Sequence, residues 1–220
     1  MNRTKNIYST IIIVLFALLF CASATQKAAY LGEHYTYFYK LIGDNAKSDK
    51  NFNDGKIDVT FDVDSKEVNF NLRNLTKEPM KINWDEGSII IFGRSQRIIH
   101  KGVKLIDRSS PQAPTVIPSN SSIDDLAAPA DNIYYREGYY SQYTSSPGGW
   151  ESHDLFTSND LKKEDTKKFI LSLKGSKFQF FLPIEQNGQK LNYTFEFEIK
   201  DIVADSQLKS SKSKSSKSKS

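Results

Sequence analysis

Three runs in this chain put apolar residues at every second position: Ile57, Val59, Phe61 and Val63; Val68, Phe70 and Leu72; and Leu191, Tyr193, Phe195, Phe197 and Ile199. A strand sends successive side chains to opposite faces, so period two marks a strand with one face on a core and one in water. A helix cannot gather such residues on one side. Residues 67–101 add a further alternating run, Met80, Ile82 and Trp84, after a connection at Asn74-Leu75-Thr76-Lys77-Glu78-Pro79. They also hold a hairpin broken at Gly93-Arg94-Ser95-Gln96. Its Ile89, Ile90, Ile91 and Phe92 do not alternate, which fits burial on both sides. Short runs joined by turn residues require an antiparallel sheet. The 14 Phe and 11 Tyr agree, because aromatic side chains suit a pleated surface.

Further strand-like runs lie at 115–117, before Pro118, and at 168–173, 178–182 and 190–200. Asn187-Gly188 is a turn signal, and its neighbours Pro183 and Gln189 suggest a loop longer than the minimal hairpin. The sequence Leu161-Lys162-Lys163-Glu164-Asp165 suggests a single helical turn. Tyr35, Tyr37, Phe38 and Tyr39 form either an edge strand or an aromatic helical turn. Residues 44–55 carry Asp44, Asp49 and Asp54 at spacings of five, whereas a calcium loop places its ligands at alternate positions, so a polar surface loop is expected.

The ends differ from the body. Arg3 and Lys5 precede an apolar run and then small residues, the order of an export signal. Its end has three readings. Cleavage after Ala22-Ser23-Ala24 would release a secreted or periplasmic protein. Lipid attachment at Cys21, the single cysteine, would give a membrane-associated lipoprotein. Retention would leave an anchor. Residues 209–220 are Lys and Ser only, a composition that cannot bury apolar surface and is expected to be disordered. Their five lysines offer weak contact with anionic surfaces. Without the two ends, the body has 23 basic against 26 acidic residues, so the overall net charge of +4 is no argument for nucleic acid. The expected division is a signal at 1–24, an ill-defined extension or edge element at 25–56, a β-sandwich at 57–205 and a tail at 206–220.

Chemical motifs are missing. His34, His100 and His153 are far apart and form no zinc spacing, there is no nucleophile elbow or phosphate loop, and the body has no thiol. His100 or His153 could meet an acid such as Asp154 only through folding. Asp124 with Asp125 and Glu196 with Glu198 are the remaining acid pairs. The sequence therefore assigns no catalytic residue, no metal ligand and no cofactor, and a non-enzymatic protein is expected.

The unusual segment is 134–150, with five tyrosines, Trp150 and three glycines but no periodicity. Tyr and Trp give contact area at small entropy cost, so Tyr139, Tyr140, Tyr143 and Trp150 are the candidate binding residues. The same rings could instead bury one another.

About nine strand-like segments and a closing amphipathic strand favour an all-β, antiparallel immunoglobulin-like β-sandwich. Asn74-Leu75-Thr76 ahead of the run ending at Trp84, and Val116-Ile117-Pro118 ahead of a Ser-rich turn, loosely resemble exported bacterial β-sandwich envelope and lipoprotein domains of unknown function. That resemblance implies an exported module and transfers no site residue. The expected function is an exported cell-envelope protein that binds a protein or glycan partner through the aromatic loop. A structural or assembly component of the envelope and a secreted hydrolase are the alternatives.

Overall fold

A computed structural model describes residues 35–142, 144–156 and 163–204, with the backbone alone for 163–166. The chain divides into two compact units, and Thr36–Val203 holds the architecture below. Of the other unit, only Tyr35 and Ala204 are described.

Fifteen strands occur in the described residues: β1 (Tyr35–Ile42), β2 (Asn51–Asn53), β3 (Ile57–Val63), β4 (Val68–Asn74), β5 (Met80–Ile82), β6 (Ser88–Ile91), β7 (Arg94–His100), β8 (Thr115–Ile117), β9 (Ser122–Pro129), β10 (Ile133–Arg136), β11 (Tyr139–Tyr140), β12 (Ser145–Ser146), β13 (Gly149–Ser152), β14 (Lys177–Gln186) and β15 (Gln189–Ala204). The α-helix of the described residues, α1 (Lys163–Ser172), precedes β14. The all-β class is confirmed.

The immunoglobulin-like sandwich is not. Eleven strands form one sheet whose main path runs β1-β15-β14-β6-β7-β9-β4-β3-β2. The strand that rules out two separate sheets is β7. It pairs with β6 through Ser88↔Arg97 to Ile91↔Arg94, and with β9 through Ile98↔Pro129 to His100↔Ala127. The sheet curls until its ends nearly meet. Leu41 N donates to Asp49 O at 2.7 Å and Phe61 N donates to Lys50 O at 2.8 Å, so residues 49–50 bridge from β1 to β3. The result is a nearly closed barrel.

Its inside is aromatic. Phe61 of β3 meets Phe195 and Phe197 of β15 at 4.8 and 5.1 Å between ring centres, and Phe70 of β4 meets Phe180 of β14 at 5.6 Å. Phe61, Phe178, Phe180, Phe195, Phe197 and Trp84 are almost wholly removed from water. Burial of a large apolar side chain contributes roughly 1.5–3 kcal/mol, so these rings dominate the core. Trp84, in a single 3₁₀ turn after β5, donates its indole N–H to Thr115 Oγ1 at 2.8 Å and stacks on His100 at 4.3 Å.

Three local expectations change. Residues 168–173 lie in α1 and the turn after it, not in a strand; only Ile170 is β-branched there, and Leu173 alone is fully buried. The Asn187-Gly188 connection is the minimal two-residue hairpin, with Gln186 opposite Gln189 and both turn residues at positive φ. Pro183 sits inside β14, because β6 pairs up to Phe181 and β5 begins at Ile184, and its missing N–H faces that gap. The β6–β7 hairpin also turns in two residues, Phe92 and Gly93, earlier than the sequence suggests.

At that turn Phe92 has φ 49° and is 64% exposed. A left-handed backbone costs a non-glycine residue about 1–2 kcal/mol, and asparagine tolerates it best. Phe92→Asn is therefore expected to raise stability by up to about 1 kcal/mol, read from the denaturant midpoint. An unchanged or lower midpoint would mean that the edge contact of Phe92 with Phe156, at 5.6 Å, outweighs the strain.

Candidate functional site

β7 and β9 break the alternation at one place, where Ile98 and Ile99, and Ala127 and Ala128, are all buried. One of each pair faces the barrel interior. The other needs a cover, and residues 133–152 provide it. Ile133, Ala130, Ile99 and Ala128 form a small cluster against which Val103, Leu126 and Trp150 pack.

The cover is one long hairpin. Tyr134 lies opposite Glu151, Tyr135 opposite Trp150 and Arg136 opposite Gly149. Beyond a break, Tyr139 lies opposite Ser146 and Tyr140 opposite Ser145. The register is the same on both sides of the break, so no residue is inserted. The strands come close there through two glycines: a Cβ on Gly148 would lie 2.6 Å from Tyr135 Oη and 2.9 Å from Gly138 N, and a Cβ on Gly138 would lie 2.9 Å from Gly148 N. No other residue fits either position.

Arg136 locks the break. Its Nε pairs with Glu151, Nη1 donates to Ser146 Oγ at 2.9 Å and Nη2 donates to Pro147 O at 3.3 Å. Tyr134 Oη donates to the second Glu151 oxygen at 2.9 Å. Arg136 first, and Tyr134 after it, hold the Glu151 carboxyl below the usual carboxylate range. His153 stacks on Tyr134 at 4.4 Å, and its backbone N–H donates to Asn132 O at 2.9 Å, fastening the returning strand.

The four candidate binding residues separate. Tyr139 and Tyr140 are 62% and 76% exposed near the tip. Trp150 turns onto the barrel, with Tyr135 at 5.4 Å and the Arg108 guanidinium 5.1 Å from its ring centre. Tyr143 and Cys21 lie outside the described residues, as does His34. Other aromatic side chains, among them Tyr37, Phe156 and Phe178, belong to the core. Burial pushes the Tyr37 hydroxyl up to about 12, and it donates to Phe156 O at 3.2 Å.

Between the hairpin base and the barrel rim lies a cavity of about 490 Å³. Ile99, Val103, Leu126 and Trp150 give it an apolar lining, and Lys66, Glu67, His100, Lys101 and Glu151 stand around it. Burial, and after it the charge of Asp64, raises the Glu67 pKa. Of this group the sequence points to Trp150 as a binding residue and to His100 as a histidine that folding could bring to an acid. The signal it could have used is the doubled apolar pair at Ile98-Ile99 and at Ala127-Ala128.

His100 is the histidine that meets an acid. Its Nδ1 lies 3.4 Å from Asp125 Oδ2, while Asp125 Oδ1 accepts the N–H groups of Lys101 and Leu126 at 2.8 Å. That Nδ1 makes no hydrogen bond among the described residues, and no group of three metal-binding side chains occurs among them. Glu196 pairs with Lys177, and Glu198 with Lys40, on the outside of β15. No helix of the described residues is long and apolar enough to cross a membrane.

Compared with known protein families and with curated proteins, the chain matches none. The resemblance to bacterial envelope sandwich domains does not hold. Its architecture fails at β7, and the residues that carried it are scaffold: Asn74 is wholly buried, and Ile117 and Met80 pair β8 with β5.

Proposed function

We propose that this chain is an exported, non-enzymatic binding protein whose recognition element is the hairpin 133–152 and whose partner is a neutral glycan. The observation that carries the proposal is the exposure of Tyr139 and Tyr140 on a hairpin with a fastened base. Exposed rings on a fixed backbone give contact area with little ordering cost. Residues 139–149 contain Tyr, Ser, Gln, Thr, Pro and Gly and no charged side chain. That surface offers ring faces, hydroxyls and an amide to a polyhydroxylated ligand, and no charge to steer an ionic one. The order of basic, apolar and small residues at 3–24 supports export.

The test is retention on immobilised neutral polysaccharides such as cellulose, xylan, mannan and starch. Tyr139→Ala with Tyr140→Ala is expected to reduce retention at least tenfold, with a melting temperature within about 1 °C of the parent, because exposed substitutions cost little. Equal retention of parent and variant would overturn the proposal. Failure of the parent to bind any neutral glycan would favour the assembly role.

A further inference from the structure

The cavity beneath Trp150 is distinct from the exposed tyrosines and has its own chemistry. Its volume of about 490 Å³ is that of a small-molecule site, for which roughly 300–1,000 Å³ is usual. Its walls come from four parts of the chain: the β3–β4 turn, the end of β7 with the loop after it, β9, and the hairpin base. The floor is aliphatic and aromatic.

The charges around it are unequally spent. The Glu151 carboxylate already accepts from Tyr134 and Arg136. Glu67 is half-buried, and its pKa is raised by burial and after it by the charge of Asp64. Lys66 and Lys101 line the same cavity from two different elements, and neither ammonium has an ion-pair partner among the described residues. Glu151 is thus engaged within the hairpin, whereas the two lining ammonium groups form no ion pair among the described residues.

We infer that this cavity binds an amphipathic carboxylate, its apolar body on Ile99, Val103, Leu126 and Trp150 and its carboxylate at Lys66 and Lys101. A matched neutral ligand would fill the same floor and forgo both ammonium groups. A matched cation would meet them as like charges. This site is independent of glycan recognition by Tyr139 and Tyr140, and either can fail without the other.

The full chain is titrated, below the micelle concentration, with decanoate, decanol and decyltrimethylammonium, followed by tryptophan emission. Trp150→Phe separates the cavity signal from that of Trp84. Decanoate is expected to change the Trp150 emission saturably, decanol to bind at least tenfold more weakly and the ammonium compound not to bind. Lys66→Ala with Lys101→Ala is expected to weaken decanoate at least tenfold at an unchanged melting temperature. Equal binding of the three probes, no decanoate binding, or full decanoate affinity in the double lysine variant would each overturn the inference.

Discussion

Trp84→Ala is expected to cost about 4 kcal/mol and lower the melting temperature by about 8–16 °C, the largest single effect in this protein. Trp84 is fully buried, touches Phe70 at 6.4 Å between ring centres and supports the His100 ring on its face. Removing it opens a cavity among rings that cannot collapse inward, because β4, β7 and β14 are fixed by their ladders. The Thr115 hydroxyl also loses the donor that holds the start of β8. Trp84→Phe retains most of the volume and loses the N–H donation, so about 1–2 kcal/mol is expected. Calorimetric unfolding of both variants checks the ranking. Equal, small losses would show that Trp84 does not anchor the core.

Asn74→Ala follows, at about 3 kcal/mol. Asn74 has no exposed surface, and its amide makes contacts that no neighbour can replace. Nδ2 donates to the carbonyls of Glu78, Ile117 and Pro118 at 2.7, 3.3 and 3.2 Å. Oδ1 accepts from Thr76 N and Thr76 Oγ1 at 2.9 and 2.7 Å. One side chain thus ties the β4–β5 connection to the end of β8. Alanine leaves three carbonyls and an N–H without that partner. Asn74→Asp keeps the shape but turns acceptor oxygens toward three carbonyls, so it is expected to cost at least as much. Chemical denaturation of the two variants distinguishes this account from a simple packing role, in which aspartate would be the milder change.

These two residues show what the sequence could and could not convey. The alternating runs at 57–63 and 68–72 correspond to β3 and β4, and the run at 191–199 lies within β15, because period two reports one buried face directly. A sandwich and a barrel share that pattern. They differ in whether β7 pairs on one edge or two, and pairing partners leave no periodic mark. The Asn74 network joins positions more than 40 residues apart and has no local signature. Residues 168–173 resemble a strand because Phe169, Leu171 and Leu173 alternate, yet the helix exposes Phe169 and Leu171, and the turn after it buries Leu173. The aromatic segment was visible as composition. Its division into exposed Tyr139 and Tyr140 and a barrel-facing Trp150 was not, since it depends on the unpaired apolar surface of Ile99 and Ala128 beneath.

Titration of the full chain with neutral oligosaccharides from whichever polysaccharide retains it, followed through carbon-13-labelled tyrosine rings, decides whether the hairpin is the recognition element. The ring signals of Tyr139 and Tyr140 are predicted to shift saturably, while those of buried Tyr37 and half-buried Tyr193 stay in place. Binding registered by calorimetry with no shift at Tyr139 or Tyr140 would contradict it.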